Sequence, residues 1–147
     1  MKKLLFLLTL ILSVSLFGQQ SDISGRIITH YIVVEDMVWN EYDESWDYTS
    51  NLERTKNSCS WLFELNNDGT GEVSMRDLED NEEYLLIVYE YKMDRVGEND
   101  GIIAQFVQQS DGQKGTIIIQ KTPEADHMIS VFLPETKKYL TFDNMRL

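Results

Sequence analysis

Over most of the chain, apolar and polar residues alternate in short segments that turn residues separate. Alternation with a period of two is typical of strands with one buried face, and almost no segment shows a helical period. The pattern therefore predicts an all-β fold, an antiparallel meander of eight to nine strands. The predicted strands fall at residues 26–39, 46–52, 61–65, 73–75, 84–93, 102–107, 116–119, 127–133 and 139–145.

Turn signals lie between these segments. Asn66–Gly69 and Ser110–Gln113 are typical of hairpin turns, Asp94–Gly101 predicts a long polar turn, and Pro134 predicts another turn. An open meander of this size would leave two unpaired edges, which are a hazard for aggregation. We therefore expect the sheet to form a closed or partly closed barrel.

If the strands alternate in register through such a barrel, one set of side chains faces its interior. The predicted inward residues are Tyr31, Val33, Trp61, Phe63, Leu65, Ile87, Tyr89, Phe106, Ile117, Ile119, Val131 and Phe142.

The first residues differ from the rest of the chain. Lys2 and Lys3 precede an apolar run of about 14 residues, Leu4 to Phe17, which is the pattern of a secretory signal peptide. A membrane-spanning helix needs about 20 apolar residues, so no stable membrane span is expected after cleavage. We predict a signal peptide at residues 1–18 and a single β-rich domain at 19–147. The expected location is exported, periplasmic or extracellular, and without a cysteine near the cleavage point the protein is not expected to be a lipoprotein.

The charge limits the classes of partner. The chain has 13 Lys and Arg against 25 Asp and Glu, and loss of Lys2 and Lys3 would take the net charge from −12 to −14. Such acidity opposes nucleic acid and anionic membranes as partners. The single cysteine, Cys59, cannot form an internal disulfide, so we expect it to be a buried, small apolar residue.

One segment resembles the twelve-residue calcium loop of the EF-hand. Asn66, Asp68 and Thr70 take its alternating ligand positions, Gly71 its sharp turn and Asp77 its last position. The candidate metal ligands are Asn66, Asp68, Thr70, Glu72 and Asp77, with calcium as the one cofactor that the sequence leaves open. The competing interpretation is a β-hairpin turn, because Asn-Asp-Gly here stands between two alternating apolar runs.

A second candidate is the acidic turn between two tryptophans. Trp39 and Trp46 bracket a polar turn, so they are expected to face each other across a hairpin and to stack edge to face. With its carboxylates this turn could bind a sugar, a basic peptide or Ca²⁺; the alternative is a structural pair that closes one end of the barrel. The candidate ligand or partner surface comprises Trp39, Tyr42, Trp46 and Trp61.

Residues for catalysis are few. His30 and His127 are the only histidines, and Cys59 has no basic neighbour in sequence to activate it. The sequence leaves enzyme activity open and favours a protein that is not an enzyme.

The strand meander, the hairpin at 61–71 and the run Tyr139 to Phe142 make the chain resemble small exported bacterial β-barrel proteins of the lipocalin-like (calycin) kind. The Gly-x-Trp of lipocalins is absent, since Arg26 and Ile27 follow Gly25. The resemblance implies a non-enzymatic binding module for a small apolar ligand or a protein partner. The alternatives are a cation-binding domain that uses Asn66–Asp77, or a structural protein with a filled barrel. The small-ligand version requires a cavity above about 300 Å³, and the absence of such a cavity would exclude it.

Overall fold

The computed structural model describes residues 23–49, 53–123 and 126–144. The predicted signal peptide, 1–18, lies outside them. The described residues form nine strands and confirm the all-β prediction. These are β1 (Ile23–Asn40), β2 (Ser45–Tyr48), β3 (Glu53–Leu65), β4 (Gly71–Asp77), β5 (Glu83–Val96), β6 (Asn99–Gln108), β7 (Lys114–Gln120), β8 (Met128–Leu133) and β9 (Lys138–Asp143).

Eight of the strands close into an antiparallel barrel. From β3 to β9 each strand pairs with the next, and β1 joins the two ends by pairing with both β3 and β9. Closure removes the free edges that an open meander would expose. The last part of β1, Met37 to Asn40, continues beyond β9 and pairs with the extra strand β2.

Two register shifts decide which side chains face the barrel interior. The pairing of β1 with β3 shifts between Thr29 and Tyr31, and that of β5 with β6 shifts between Val88 and Glu90. A bulge adds a residue to one strand and so exchanges the inward and outward faces beyond it. In β1 the inward residues are consequently Ile27 and Thr29 before the shift and Ile32 after it.

Four of the predicted inward residues are therefore wrong. Tyr31 and Val33 face outward because the pairing shifts after Thr29, where one residue of β1 lies opposite two of β3, and Ile32 is the residue that pairs with inward-facing Phe142. Ile87 and Tyr89 face outward because Leu86 and Val88 are the buried residues of β5. The other predicted core residues are buried, as the alternation indicated. They are Trp61, Phe63, Leu65, Phe106, Ile117, Ile119, Val131 and Phe142.

The turns follow the predictions in three cases and not in a fourth. Asn66 to Gly69 joins β3 to β4, residues 109–113 join β6 to β7, and the turn that begins at Pro134 joins β8 to β9. The predicted long turn at Asp94–Gly101 is wrong, because β5 and β6 stay paired up to Val96 and Asn99. A two-residue turn suffices there, since Gly97 takes a positive φ of 64° at its first position.

Candidate functional site

The barrel interior contains a cavity. This cavity of about 280 Å³ lies at the end of the barrel where β4, β6 and β8 end. Its walls are mainly apolar side chains from β1, β3, β4, β5, β6, β8 and β9. They are Ile32, Cys59, Trp61, Met75, Tyr84, Leu86, Phe106, Val131, Leu133, Leu140 and Phe142, with Asn57, Asp77 and Gln108 as polar members.

Large aromatic side chains form much of the cavity wall. The indole of Trp61 is 1% exposed, and its ring packs edge to face on Phe142 with centroids 4.8 Å apart. The indole Nε1 donates a hydrogen bond to Oγ1 of Thr29 at 3.2 Å, so its polar atom is satisfied within the core. Phe106 lies against Gly115, where a Cβ would come within 2.5 Å of the ring. These contacts hold the aromatic walls in place.

A chain of hydrogen bonds in the cavity wall links Cys59, Asn57 and Asp77 across two strands. The Sγ of Cys59 donates to Oδ1 of Asn57 at 2.7 Å, and Nδ2 of Asn57 donates to Oδ2 of Asp77 at 2.8 Å. The backbone amides of Glu79 and Asp80 donate to the other oxygen of Asp77, at 2.8 and 3.1 Å. Asn57 and Cys59 belong to β3 and Asp77 to β4, where Cys59 and Asp77 are direct partners.

The two acidic groups in this chain of hydrogen bonds, the Cys59 thiol and the Asp77 carboxyl, have pKa values that are shifted in opposite directions. Burial, followed by the charges of Asp77 and Glu79, raises the pKa of the Cys59 thiol to about 12. The hydrogen bonds from Asn57 and from the amides of Glu79 and Asp80 lower the pKa of Asp77. At neutral pH the cavity wall therefore carries a neutral thiol, which is a poor nucleophile, and an ionised carboxylate.

Tyr84 and Gln108 also place polar atoms in the wall. The Tyr84 hydroxyl donates to Oε2 of Glu82 at 2.6 Å, and this bond is the main reason that the pKa of Tyr84 is raised. The side-chain amide of Gln108 donates to Oγ of Ser110 at 2.8 Å. Both residues lie at the ends of their strands, so the polar part of the cavity is its outer rim.

A larger depression, about 530 Å³, lies on the outer face of the barrel around Glu64, Glu72 and Tyr89. It is shallow and its carboxylates are exposed. Ligand sites usually bury most of the ligand surface, so this open depression is a weaker candidate than the interior cavity.

The four residues of the predicted ligand or partner surface do not form one surface. Trp39 and Trp46 are cross-strand partners and their rings stack edge to face with centroids 5.4 Å apart, which confirms the predicted pair. Tyr42 is at the exposed turn between them. Trp61 is separate, because it is buried in the barrel and lines the cavity.

The tryptophan pair lies on the outside of the barrel and does not close one end of it. Trp46 packs edge to face on Phe132 of β8 at 5.4 Å, and Tyr48 packs on Tyr139 of β9 at 5.5 Å. Phe132 points outward, since its neighbours Val131 and Leu133 line the interior cavity. The hairpin of β1 and β2 therefore extends over the outer face of β8 and β9.

The candidate metal ligands are divided between the two ends of β4. Asn66, Asp68 and Thr70 lie together at the turn, where Oδ1 of Asp68 accepts from the amide and the hydroxyl of Thr70 at 2.9 and 2.6 Å. Glu72 pairs with Glu64 on the outer face. Asp77 ends β4 at the cavity, about 20 Å from the turn by strand rise. Within the described residues, no three His, Cys, Asp or Glu side chains are grouped as metal ligands.

The two histidines are also apart. Nδ1 of His30 lies 3.3 Å from Oγ of Ser58, and His127 lies beside Asp126, with Nδ1 3.4 Å from Oδ2. Neither residue lines the cavity.

Asn57 is a member of the site that is not among the residues predicted from the sequence. Its spacing from Cys59 and Trp61 carried the signal, because positions 57, 59 and 61 of one strand share a face. What the spacing did not show is that Asp77 stands opposite Cys59 on the next strand.

Comparison with protein families, curated proteins and solved structures finds no match to this chain. Among the described residues, no helix is long and apolar enough to cross a membrane.

Proposed function

We propose that the protein is a non-enzymatic binding module of the lipocalin-like kind, which holds a small, largely apolar ligand inside its barrel. The cavity beside Trp61 is the observation that carries this proposal. A closed, up-and-down barrel of eight antiparallel strands, in which each strand pairs with its neighbours, is the architecture that lipocalins share. A barrel of that strand number has an interior just large enough for side chains or one small ligand.

The size of the cavity selects small ligands. At about 280 Å³ it does not reach the minimum of about 300 Å³ required above, so the expectation of a cavity for a drug-sized ligand, about 300 to 1,000 Å³, is not met. The cavity exceeds the apolar cavity of about 150 Å³ that suffices for benzene. A single substituted aromatic ring or a short acyl chain therefore fits better than a lipid or a haem-sized group.

The polar rim adds a preference for a hydrogen-bond donor on the ligand. Oδ2 of Asp77 accepts one hydrogen bond, from Asn57, and a carboxylate oxygen can accept a second. A hydroxyl or an amine at one end of an apolar ligand would supply that donor. Burial raises the pKa of the neighbouring Cys59 thiol, which makes it a poor nucleophile.

Thermal unfolding with p-cresol and toluene tests this proposal. The two probes share a methyl-substituted ring, and p-cresol alone carries a hydroxyl. A probe that binds only the folded state stabilises it by about 2.7 kcal/mol at 100 times its Kd. We expect both probes to raise the melting temperature, and p-cresol to do so at the lower concentration.

The substitution Val131→Trp provides the structural control. Val131 lines the cavity, so an indole there would fill it, whereas Val107→Trp makes the same change at a position that pairs with outward-facing Ile87. We expect Val131→Trp to weaken probe binding at least about tenfold and Val107→Trp to leave it unchanged. If neither probe raises the melting temperature at millimolar concentration, or if Val131→Trp leaves the effect intact, the proposal is wrong.

A further inference from the structure

The hairpin of β1 and β2 forms an arm, residues 37–48, that the barrel does not need for closure. One face of the arm packs on the barrel: Met37 is buried and Trp46 packs on Phe132. Trp39 and Tyr48 are the cross-strand partners of Trp46 and Met37 and share that face, whereas Val38 lies on the opposite face and Tyr42 at the tip. Large apolar side chains are exposed on both faces and at the tip. Tyr42 is 99% exposed, Tyr48 56%, Val38 54% and Trp39 45%. So many exposed apolar side chains on one short hairpin are typical of a surface that another molecule covers.

The ring of Trp39 and the backbone at the tip of the arm are held in place before any partner arrives. The ring of Trp39 packs on Trp46, which in turn packs on Phe132, so the arm is fixed to the barrel. At the tip, Nδ2 of Asn40 donates to the carboxylates of Asp43 and Asp47, and its Oδ1 accepts from the amide of Tyr42 at 3.0 Å. A surface ordered in advance loses less conformational entropy on binding.

The charge of the arm is of one sign. Between Arg26 and Arg54 the sequence contains no Lys or Arg, and the carboxylates on the arm and at its base are Glu35, Asp36, Glu41, Asp43, Glu44 and Asp47. Lys138 of β9 binds Asp36 at the base, and Asn40 bonds Asp43 and Asp47. Glu41 and Glu44 are exposed on the same turn as Tyr42.

The arm also offers backbone hydrogen bonds. In the part of the chain that the structure describes, β2 pairs with β1 alone and is the outermost strand of the sheet. An extended peptide can add to such an edge through main-chain hydrogen bonds, while its side chains give specificity. Lys or Arg side chains of that peptide would reach both the carboxylates and the aromatic faces, to which cations are attracted.

We propose that the arm is the docking site for an extended, Lys- or Arg-containing segment of a partner protein. Charge complementarity between basic side chains and the acidic arm favours this partner. A second copy of this chain would bring a net charge of −12 against the same carboxylates, and a neutral sugar would use the rings but leave the carboxylates without a role.

Fluorescence anisotropy with a labelled peptide of alternating lysine and threonine tests the proposal, with a peptide of alternating glutamate and threonine as the matched probe. We expect the lysine peptide to bind, its affinity to fall as salt is added, and the glutamate peptide not to bind. Two arm variants are informative: Glu41→Gln with Glu44→Gln removes charge, and Tyr42→Ser removes the most exposed ring. Each variant should weaken binding about fivefold. Loss of the Tyr42 ring removes one cation–π contact, and loss of the two carboxylates removes a few screened charge interactions, both of which have effects of this size.

The control variant is Glu90→Gln with Glu98→Gln, which changes the net charge by the same amount on β5 and its turn. We expect it to leave the affinity within about twofold, because charges beyond a Debye length of about 8 Å are largely screened. Equal loss in the arm and control variants would show that general acidity attracts the peptide, and would overturn the proposal. So would binding of neutral oligosaccharides but not the lysine peptide, or dimerisation that the arm variants abolish.

Discussion

Arg54 of β3 reaches across β1 to form a bidentate ion pair with Asp143 of β9. Its Nη2 lies 2.6 Å from Oδ1 and its Nη1 3.1 Å from Oδ2 of the carboxylate. The guanidinium also lies over the ring of Tyr31 on β1, 4.6 Å from its centroid. Since β3 and β9 flank β1 on opposite sides, one side chain ties together the three strands at which the barrel closes.

Removal of one partner from this pair should destabilise the barrel strongly. Asp143 is almost fully buried, and Asp143→Asn would remove the negative charge that faces the partly buried Arg54 cation in this pair. Breaking a buried pair in this way costs about 3 kcal/mol. We expect a corresponding fall in the free energy of unfolding, measured from the urea transition at constant m-value.

The double variant Arg54→Met with Asp143→Leu is the control. Replacing both members of a buried pair by apolar groups is often close to neutral, so the double variant should be more stable than Asp143→Asn. A cost of Asp143→Asn below about 1 kcal/mol, as for exposed pairs, would show that the pair does not secure closure.

Gly115→Ala should destabilise the protein through the cavity wall. A Cβ at position 115 would lie 2.5 Å from Cζ of Phe106 and 2.6 Å from the carbonyl oxygen of Phe132. The ring would have to move toward the cavity, and overpacking of this kind costs about 2 kcal/mol. Gly25→Ala is the matched control, because a Cβ there meets no atom within 4 Å. Equal urea midpoints for the two variants would show that the wall at Phe106 is not rigid.

The sequence predicted the barrel better than it predicted the faces of individual strands. Trp61, Phe63 and Leu65 of β3 were assigned correctly because their strand alternates without interruption. In β1 and β5 both faces are apolar, so the alternation did not say which set points inward. The bulges after Thr29 and Val88 decide this through pairing with neighbouring strands, and local sequence does not encode such pairing.

In the candidate sites too, contacts between residues close in sequence could be predicted, and contacts between residues far apart in sequence could not. Trp39 and Trp46 could be paired from the sequence because a single turn joins them. Their packing on Phe132, far along the chain, could not. The rim of the cavity likewise needs Asn57 and Asp77 from different strands, and the hydrogen bond between them becomes apparent only once β3 and β4 are in register.

Cys59 should react slowly with thiol reagents in the folded protein. Its side chain is buried in the cavity wall, and burial is the main reason that its pKa is raised to about 12. The thiolate is the reactive form, so at pH 8 we expect modification by methyl methanethiosulfonate to be far slower than in urea. p-Cresol should slow it further if the ring occupies the cavity. Modification at the same rate with and without urea would contradict this placement of the thiol.

The same thiol should make the protein less stable in alkali. An unfolded chain releases the Cys59 proton near its ordinary pKa of about 9, whereas the folded protein keeps it up to about 12. Above pH 9 the unfolded state therefore binds fewer protons, and the free energy of unfolding falls as the pH rises. Cys59→Ala should show a shallower decline between pH 9 and pH 10.5. Parallel curves for the two proteins would exclude this origin of the pH dependence.

Calcium should not raise the melting temperature. Protein oxygens bind Ca²⁺ at about 2.3 to 2.6 Å, but Asn66 and Asp77 stand at opposite ends of β4, a strand of seven residues. The Asp68 carboxylate bonds Thr70, and the Asp77 carboxylate bonds Asn57 and two backbone amides. We expect the same melting temperature in millimolar calcium and in chelator. If calcium raises the melting temperature and Asp77→Ala abolishes that rise, β4 rearranges into a cation loop. Asp68→Ala removes the hydrogen bonds of the turn, so it should lower the melting temperature equally with calcium and with chelator.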